Sequence, residues 1–320
     1  MSTTCQSELH QEVADDFLFD VIQGLRGWPK TLPSKYFYDE AGSQLFDQIT
    51  TLPEYYPTRT ERGILERYVG ELARIIGPFC RLVEYGSGTS EKTRILLDHL
   101  DEPVSYVPID VADEHLQESA HQLALEYPQL DIQPLCADFM HPISLPKPRR
   151  QPTRTVVFFP GSTIGNLFPD DAMLLLKHTA ELCGPGGMMV LGADLRKNVQ
   201  VLEAAYNDTQ GVTAAFNLNM LVRINRELGG NFDVKQFLHY AFFNQSESRI
   251  EMHLVSLRDQ RVQIAGEEFH FAVGESIHTE NSYKYGLQEL RDMAYSAGFE
   301  QRRVWTDAKQ YFSVQVLEVN

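Results

Sequence analysis

Basic residues are scarce in this chain of 320 residues, which carries 28 lysines and arginines against 44 aspartates and glutamates and a formal net charge of −16 at pH 7. Proteins that bind nucleic acid or anionic membranes need a basic surface to neutralise phosphates. The charge balance therefore predicts that neither is a partner. A small-molecule substrate is the more compatible partner.

Long apolar runs and targeting segments are also missing. No run approaches the ~18 apolar residues that a membrane-spanning helix needs. The segment from Met1 to Asp16 is polar and acidic, unlike a secretory signal or a basic transit peptide. The sequence therefore predicts a cytoplasmic protein.

Cysteine and histidine patterns that hold disulfides or metals are absent. The four cysteines, Cys5, Cys80, Cys136 and Cys183, form no CxxC pair, which favours reduced thiols. The ten histidines show neither HExxH nor HxH spacing. No metal site is predicted from them.

What the chain does have is a regular alternation of strand-like and helix-like segments. The strand-like runs cover residues 80–85, 104–109, 130–136, 155–159 and 187–193. Amphipathic stretches between them are typical of crossover helices. This alternation predicts an α/β fold with a mostly parallel sheet and helices on both faces. Two strand-like runs after a last helix, 301–306 and 312–319, favour a methyltransferase sheet over a dehydrogenase sheet.

Polar or turn residues follow the first three predicted strands, where parallel sheets bind their ligands. Gly86 and Gly88 allow a tight turn and a close approach of the backbone to a ligand. Asp110 suits a ribose diol, and Asp138 suits an adenine amino group. Either aspartate alone could simply cap the next segment. A dinucleotide fingerprint would need glycine where the chain has Glu91, which disfavours NAD.

The remaining segments predict a second domain. Residues 11–25 and 40–51 are helical in pattern, and a third helix starts at a capping box, Thr58 with Glu61, and ends at Gly77. Residues 199–228 predict one helix. The runs that follow it are strand-like and predict an antiparallel insertion. We expect a core of about 60–196 plus 286–320, and a discontinuous substrate-binding domain of about 10–59 plus 197–285.

Four motifs make this fold specific: residues 36–39 (YFYD), 52–61 (LPEYYPTRTE), 84–94 (EYGSGTSEKTR) and 159–166 (FPGSTIGN). They resemble the class I S-adenosylmethionine-dependent methyltransferases, and more narrowly the branch that contains the L-histidine Nα-methyltransferases of ergothioneine biosynthesis. The resemblance runs from about residue 10 to the C-terminus. It implies a Rossmann-like core, a second α+β domain, S-adenosylmethionine as methyl donor, and a monomer.

The resemblance also implies roles for individual residues. Those expected around the cofactor are Gly86, Lys92, Asp110, Asp138 and Phe139. Those expected at the substrate's amino-acid end are Tyr55, Asn166 and Tyr206, with Tyr38 near the amine. Tyr38 and Asn166 are the expected catalytic residues. From position alone, Asn166 would be a turn residue and Tyr206 a core residue.

The segment Thr279-Glu-Asn-Ser282 is the expected ring-binding site. In an extended strand, Glu280 and Ser282 share one face, and a carboxylate with a hydroxyl can meet both nitrogens of an imidazole. Met252, on a neighbouring strand-like run, could supply an apolar wall. The pattern alone favours an exposed polar strand end. The match to the histidine-selective pattern at these three positions favours histidine as substrate.

The reaction that the resemblance implies is methylation of the histidine α-amine, in three rounds, to give hercynine for ergothioneine biosynthesis. Three alternatives remain at this stage. A relative could methylate another aromatic amino acid or amine, such as tryptophan. An NAD-dependent oxidoreductase shares the sheet, and a non-catalytic binding protein could retain the same ligand sites.

Overall fold

The computed structural model describes residues 16–88, 91–111 and 113–320. The chain divides into two compact units, each made of two segments. The smaller unit contains residues up to 55 together with 198–282, and the larger unit contains residues 56–197 together with 283–320. The beginning of the first predicted helix (11–15) and the predicted helix opening at Thr89 and Ser90 lie outside the described residues.

The strands, in chain order, are β1 (Lys30–Thr31), β2 (Arg81–Tyr85), β3 (Ser105–Asp110), β4 (Asp131–Ile132), β5 (Leu135–Cys136), β6 (Thr155–Phe159), β7 (Met188–Asp194), β8 (Phe237–Asn244), β9 (Arg249–Ser256), β10 (Gln260–Ile264), β11 (Glu267–Phe271), β12 (Ser276–Tyr283), β13 (Phe299–Thr306) and β14 (Phe312–Val319). The helices are α1 (residues 16–26), α2 (Glu40–Thr51), α3 (Tyr56–Ile76), α4 (Glu91–Leu97), α5 (Asp113–Glu126), α6 (Pro169–Cys183), α7 (Val199–Tyr206), α8 (Val212–Leu228) and α9 (Leu287–Ser296).

The larger unit is one sheet in the order β13-β14-β7-β6-β2-β3-β4, with β5 also pairing with β3. Strands β2 to β7 are all parallel to one another. Strand β14 runs antiparallel to β7, and β13 runs antiparallel to β14. The predicted fold class is confirmed: an α/β sheet that ends in an antiparallel hairpin.

Alternate residues of these strands feed two separate hydrophobic cores. One face, with Val83, Val157 and Met189, packs on α6 and α9. The other face, with Leu82 and Val156, packs on α3, α4 and α5. Burial on both faces explains why these strands are nearly continuous apolar runs. The order of the parallel strands reverses between β2 and β6, and such a reversal opens a crevice at the carboxyl ends of the strands.

The smaller unit is built on a sheet in the order β1-β12-β9-β8, with a separate hairpin of β10 and β11. Its first strand comes from the N-terminal segment and pairs in parallel with β12. Asn217 of α8 fastens the helix to this sheet, because it donates to the carbonyl of His253 and accepts from the hydroxyl of Thr279. The antiparallel pairing of β8 with β9 is as the sequence predicted.

Three local predictions were wrong. The predicted strand 130–136 is two short strands, β4 and β5. Residues 199–228 form two helices, α7 and α8, because the Asp208 carboxylate accepts from the backbone N–H groups of Val212 and Thr213 and starts a new helix there. The capping box is also absent. Helix α3 begins at Tyr56, two residues before Thr58, and the Glu61 side chain is buried and bonded to Gly161 and Lys92 instead.

Within the described residues, no helix combines the length and the apolar content needed to cross a bilayer.

Candidate active site

The turn after β2 is shaped to hold a ligand against the backbone. Gly86 (φ +67°) and Gly88 (φ +45°) both adopt the left-handed region, which side chains rarely tolerate. The N–H of Gly86 donates to the carbonyl of Ile109 at 2.9 Å, so the turn is fastened to β3. A Cβ added at either glycine would meet no atom of the described residues within 4 Å. The turn therefore borders open space at the strand reversal, as a cofactor cradle requires.

The residues expected to complete the cofactor site follow the neighbouring strands. Asp110 ends β3 beside Cys136 of β5 and is partly buried. The ring of Phe139 stacks on Tyr85 with centroids 5.3 Å apart and meets Phe159 edge-on at 5.6 Å. Phe139 is thus a fixed aromatic surface near the carboxyl ends of the sheet. This donor set fits a nucleoside, with a carboxylate for hydroxyls and a ring for stacking.

Two of the expected cofactor residues have bonds within the protein. One oxygen of Asp138 accepts from the backbone N–H of Met140 at 2.8 Å, which closes a local turn. The ammonium of Lys92 donates to Glu61 at 2.5 Å. The second oxygen of Asp138 lies 3.6 Å from His141, so its contacts are local.

Glu61 is a functional candidate that the sequence did not reveal. Its side chain is fully buried, and its oxygens accept from the backbone N–H of Gly161 at 2.9 and 3.0 Å. Glu61 therefore anchors the loop after β6 from helix α3. The sequence pattern pointed to a helix cap because Glu61 stands three residues after Thr58. That spacing carried no information about the distant partner.

The loop after β6 carries Asn166 and is held at several points. Residues Thr163–Asn166 form one turn of 3-10 helix, which follows Ser162 in the left-handed region. The Ser162 hydroxyl accepts from the backbone N–H of Asp194 at 2.9 Å. A Cβ at Gly165 would lie 2.9 Å from the carbonyl oxygen of Tyr283, so only glycine fits there. Asn166 itself is partly buried at the end of this turn.

A buried charged cluster surrounds Asp194 at the end of β7. Lys197 donates to the Asp194 carboxylate at 2.5 Å, and Lys284 lies 2.9 Å from it. The hydroxyl of Tyr56 donates to the same carboxylate at 2.6 Å and accepts from Lys197 at 2.7 Å. Tyr56 and Lys197 are the ends of one segment of the larger unit, and Lys284 is the second residue of the other. Asp194 therefore ties both segments together.

Burial sets the protonation of this cluster. Burial alone would raise the pKa of Asp194, but the two lysines and Tyr56 outweigh it and hold that pKa below its usual value. Burial lowers the pKa of Lys197 to about 8, against the attraction of Asp194. None of these residues was a sequence-based candidate. Their separation along the chain left no local pattern to find.

In the smaller unit, two of the expected substrate residues are in direct contact. The hydroxyl of Tyr206 donates to the hydroxyl of Ser282 at 2.7 Å, and both residues are buried. Tyr55 meets the ring of Tyr206 edge-on, with centroids 6.4 Å apart. Tyr206 was expected at the amino-acid end of the substrate and Ser282 at the imidazole. The bond between them shows that a residue expected at the amino-acid end lies next to a residue expected at the imidazole.

Three more of the expected substrate residues lie in the same unit, whereas Asn166 belongs to the larger unit. Glu280 stands two residues before Ser282 on β12 and is partly buried, in the extended segment that the sequence predicted. Met252 is buried on the adjacent strand β9, and its carbonyl accepts from the hydroxyl of Thr279 at 3.1 Å. Tyr38 packs edge-on against Phe46 and Phe216 with 37% of its surface exposed.

The strand order, the antiparallel hairpin and the glycine turn at the strand reversal define a class I methyltransferase core. A family model described as histidine-specific, S-adenosylmethionine-dependent methyltransferase matches residues 17–319. A histidine N-alpha-methyltransferase of Mycolicibacterium smegmatis is 44% identical over 303 residues, 93% of each chain. Another, of Mycobacterium tuberculosis, is 44% identical over 306 residues, again 93% of each chain.

A more distant relative is ergothioneine biosynthesis protein 1 of Neurospora crassa, 29% identical over 301 residues, which are 88% of this chain and 32% of that protein. The chain therefore belongs to the family of histidine-specific, S-adenosylmethionine-dependent methyltransferases. It is an enzyme that uses S-adenosylmethionine as methyl donor, and membership of this family decides against an NAD-dependent oxidoreductase.

Proposed function

We propose that this protein methylates the α-amine of L-histidine and does so three times, giving hercynine, the trimethylated betaine, as a step of ergothioneine biosynthesis. The observation that carries the substrate assignment is the 2.7 Å bond between Tyr206 and Ser282, with Glu280 on the same strand. It supports a site in which polar groups meet an imidazole. Family membership and the names of the closely similar relatives support the same substrate.

In this proposal the larger unit is the methyltransferase core and the smaller unit is the substrate-binding domain. The proposed cofactor residues are Gly86, Lys92, Asp110, Asp138 and Phe139. When bound, S-adenosylmethionine supplies an electrophilic methyl group. The glycine turn lets the cofactor approach the backbone, Asp110 accepts from the ribose hydroxyls, and Phe139 offers a face for stacking.

Different proposed substrate residues bind different parts of the histidine substrate. Glu280 and Ser282 bind the imidazole, and Met252 forms the apolar wall beside it. Tyr55, Tyr206 and Asn166 bind the amino-acid end. Tyr38 and Asn166 contact the amine, and we assign them the catalytic role of orienting its lone pair.

The amine must be neutral to react. A free α-amino group has a pKa of about 8, so a large fraction of the substrate arrives protonated at neutral pH. The first transfer then requires that a proton leaves to water or to a nearby oxygen. Positioning of the neutral amine is expected to supply most of the rate enhancement. Each added methyl group removes a hydrogen-bond donor, which favours aromatic neighbours such as Tyr38 over further acceptors.

The test is a product assay with purified protein. The enzyme is incubated with S-adenosylmethionine and, separately, L-histidine, tryptophan, tyrosine and phenylalanine, and the products are resolved by mass spectrometry. We expect mono-, di- and trimethylated histidine in sequence. A site that hydrogen-bonds the ring should reject the other amino acids by about 10⁴-fold or more in kcat/KM. Preferred turnover of tryptophan, or binding of both ligands without any product, would contradict the proposal.

A variant tests the role of the ring-binding strand. Glu280→Ala should weaken histidine binding by a few kcal/mol, about 1–3 for a lost charge-assisted bond, because the imidazole loses its charged acceptor. Calorimetry with histidine measures this. The matched control is Glu268→Ala, an exposed glutamate of β11 in the same unit. Equal affinities of the two variants would remove the specificity argument.

We also propose that the protein acts as a cytoplasmic monomer. Cys80, Cys136 and Cys183 are free thiols, which are typical of a reducing compartment. Sedimentation of the purified protein tests the monomer.

A further inference from the structure

A glutamate and a histidine of one strand meet a second histidine from the neighbouring strand on the sheet of the smaller unit. Glu251 and His253 lie on β9, and His278 lies on the neighbouring strand β12. Each offers one ligand atom, and these atoms all lie within 4.8 Å of one another. The two imidazole rings are stacked, with centroids 4.7 Å apart and planes 13° apart. Sequence spacing does not reveal this cluster, because His278 belongs to a different strand from Glu251 and His253.

The two oxygens of Glu251 have separate partners. Oε1 accepts from Arg249 Nε at 2.8 Å and from Asn244 Nδ2 at 2.9 Å. Oε2 lies 3.0 Å from Nε2 of His253. Arg249 and Asn244 therefore hold the carboxylate in place by one oxygen, and the other oxygen points toward the histidines. Carboxylates that bind metals are commonly oriented in this way by hydrogen bonds to the oxygen that does not bind.

Each imidazole is oriented through its other nitrogen. Nδ1 of His253 lies 3.3 Å from the hydroxyl of Ser276, and Nε2 of His278 lies 3.0 Å from the carbonyl of Glu280. A backbone carbonyl on the second nitrogen fixes the tautomer of a metal-binding histidine, and a hydroxyl can accept from that nitrogen once the metal is bound. This leaves Nε2 of His253 and Nδ1 of His278 as the candidate ligand atoms.

We propose that Glu251, His253 and His278 form a site for a divalent transition metal of the zinc class. Two imidazoles and one carboxylate are a donor set that zinc prefers, with water in the fourth position. Tetrahedral bonds of about 2.0 Å place ligand atoms about 3.3 Å apart. Oε2 of Glu251 and Nε2 of His253 already have a similar separation. The ligand atom of His278 lies within 4.8 Å of the other two, so its ring must turn toward them for the third bond to form.

The site has a direct connection to the strand that carries Glu280. The His278 ring is bonded to the Glu280 carbonyl, so a metal on His278 would restrain the backbone of β12 at that residue. The consequence for histidine binding rests on the proposed function. The metal site itself does not, because metal binding can be measured without substrate or cofactor.

The experiment is a metal titration of the full-length protein after removal of metals with a chelator. Zinc is measured by competition with a chromogenic chelator, and cobalt is used as a spectroscopic substitute. We expect one zinc per chain, and visible absorption from tetrahedral cobalt. His278→Gln and Glu251→Gln should weaken zinc binding by at least about 10- to 100-fold, and Ser276→Ala, which keeps all three ligands, by about 10-fold. The matched control is His270→Gln, an exposed histidine of β11, which should bind zinc like the wild type.

Folding is checked by circular dichroism on every variant. If Glu251→Gln fails to fold, His278→Gln and Ser276→Ala still decide the result, because neither removes the partner of Arg249. No stoichiometric zinc binding by the wild type would overturn the proposal. Unchanged zinc affinity in His278→Gln would overturn it as well, because the bound metal would then lie elsewhere. Either failure leaves the methylation of histidine untouched, since the product assay is independent.

Discussion

The buried Asp194 cluster offers the sharpest test of what stabilises the larger unit. Asp194 is fully buried, and the side chains of Lys197 and Lys284 are only 4% and 1% exposed. Asp194→Asn keeps the shape of the side chain but removes the negative charge that the two ammonium groups share. Asp307 also attracts the Lys197 ammonium, but more weakly than Asp194 does, so it does not replace Asp194.

The size of the effect follows from the burial. Removal of one partner of a buried ion pair costs about 3–5 kcal/mol, because the remaining charge stays out of water. In a unit of about 180 residues, which is the size of the larger unit, each kcal/mol shifts the melting temperature by about 2–4 °C, so a decrease of about 6–20 °C is expected. Asp194→Asn combined with Lys284→Met should recover part of this loss, because one of the two buried ammonium groups is gone.

The pH dependence gives an independent readout. The pKa of Lys197 is about 8 in the folded protein against an ordinary value of 10.5. The folded state therefore binds fewer protons than the unfolded state between these values, and this group's contribution to stability rises with pH there. Without Asp194 the pKa of Lys197 falls further. The difference in melting temperature between wild type and variant should then shrink as the pH is raised from neutral.

Thermal unfolding of the wild type, the single variant and the double variant measures these effects. A free energy of unfolding for Asp194→Asn within about 1 kcal/mol of the wild-type value would refute the reasoning, because the loss of one partner of a buried charge pair costs more than that. A double variant that is less stable than the single variant would refute it too.

The remaining predictions concern other residues. Burial raises the pKa of Glu84 from 4.5 to about 7, so between these pH values the folded state holds a proton that the unfolded chain releases. The free energy of unfolding should therefore fall by up to about 3 kcal/mol as the pH rises through this window, and Glu84→Gln should remove that pH dependence. Ser282→Ala removes the acceptor of the Tyr206 hydroxyl and should lower the unfolding free energy by about 1–3 kcal/mol. Gly165→Ala should displace the loop after β6 and raise KM for histidine, with unchanged S-adenosylmethionine affinity by calorimetry. Asp110→Ala should chiefly weaken S-adenosylmethionine; a loss confined to histidine would contradict the ribose assignment.

The sheet of the larger unit could be predicted from the sequence because each strand is marked by a local run of apolar residues. Strands β6 and β14 have the predicted bounds, β2 differs by one residue at one end, and β3 and β7 differ by one residue at each end. Strands buried on both faces are apolar runs, and the turns between them contain glycine or aspartate. Breaks inside polar helical stretches are harder to predict. The division at Asp208 depends on a carboxylate folding back onto N–H groups four and five residues ahead.

The candidate site was predictable only where its residues belong to a short motif. The glycine turn and the Glu280–Ser282 segment are contiguous in sequence, and the resemblance to a family identified them. Glu61 and Asp194 were not predicted because most of their partners lie far along the chain. Lys284 lies 90 residues beyond Asp194, and a charge pair at that separation has no periodicity or spacing to reveal it.

These long-range contacts hold the loop that carries Asn166 in position. The loop that carries it is fixed at Gly161 by Glu61, at Ser162 by the backbone of Asp194, and at Ile164 by the hydroxyl of Tyr285. Each contact comes from a different element of the larger unit. A displacement of about 1 Å at a substrate-orienting residue can reduce a rate by about 100-fold. Glu61→Leu removes both oxygens that accept from Gly161 and should therefore lower kcat for histidine, while binding of S-adenosylhomocysteine by calorimetry stays within about threefold if Lys92 keeps its place. An unchanged kcat would mean that the loop holds Asn166 without this anchor.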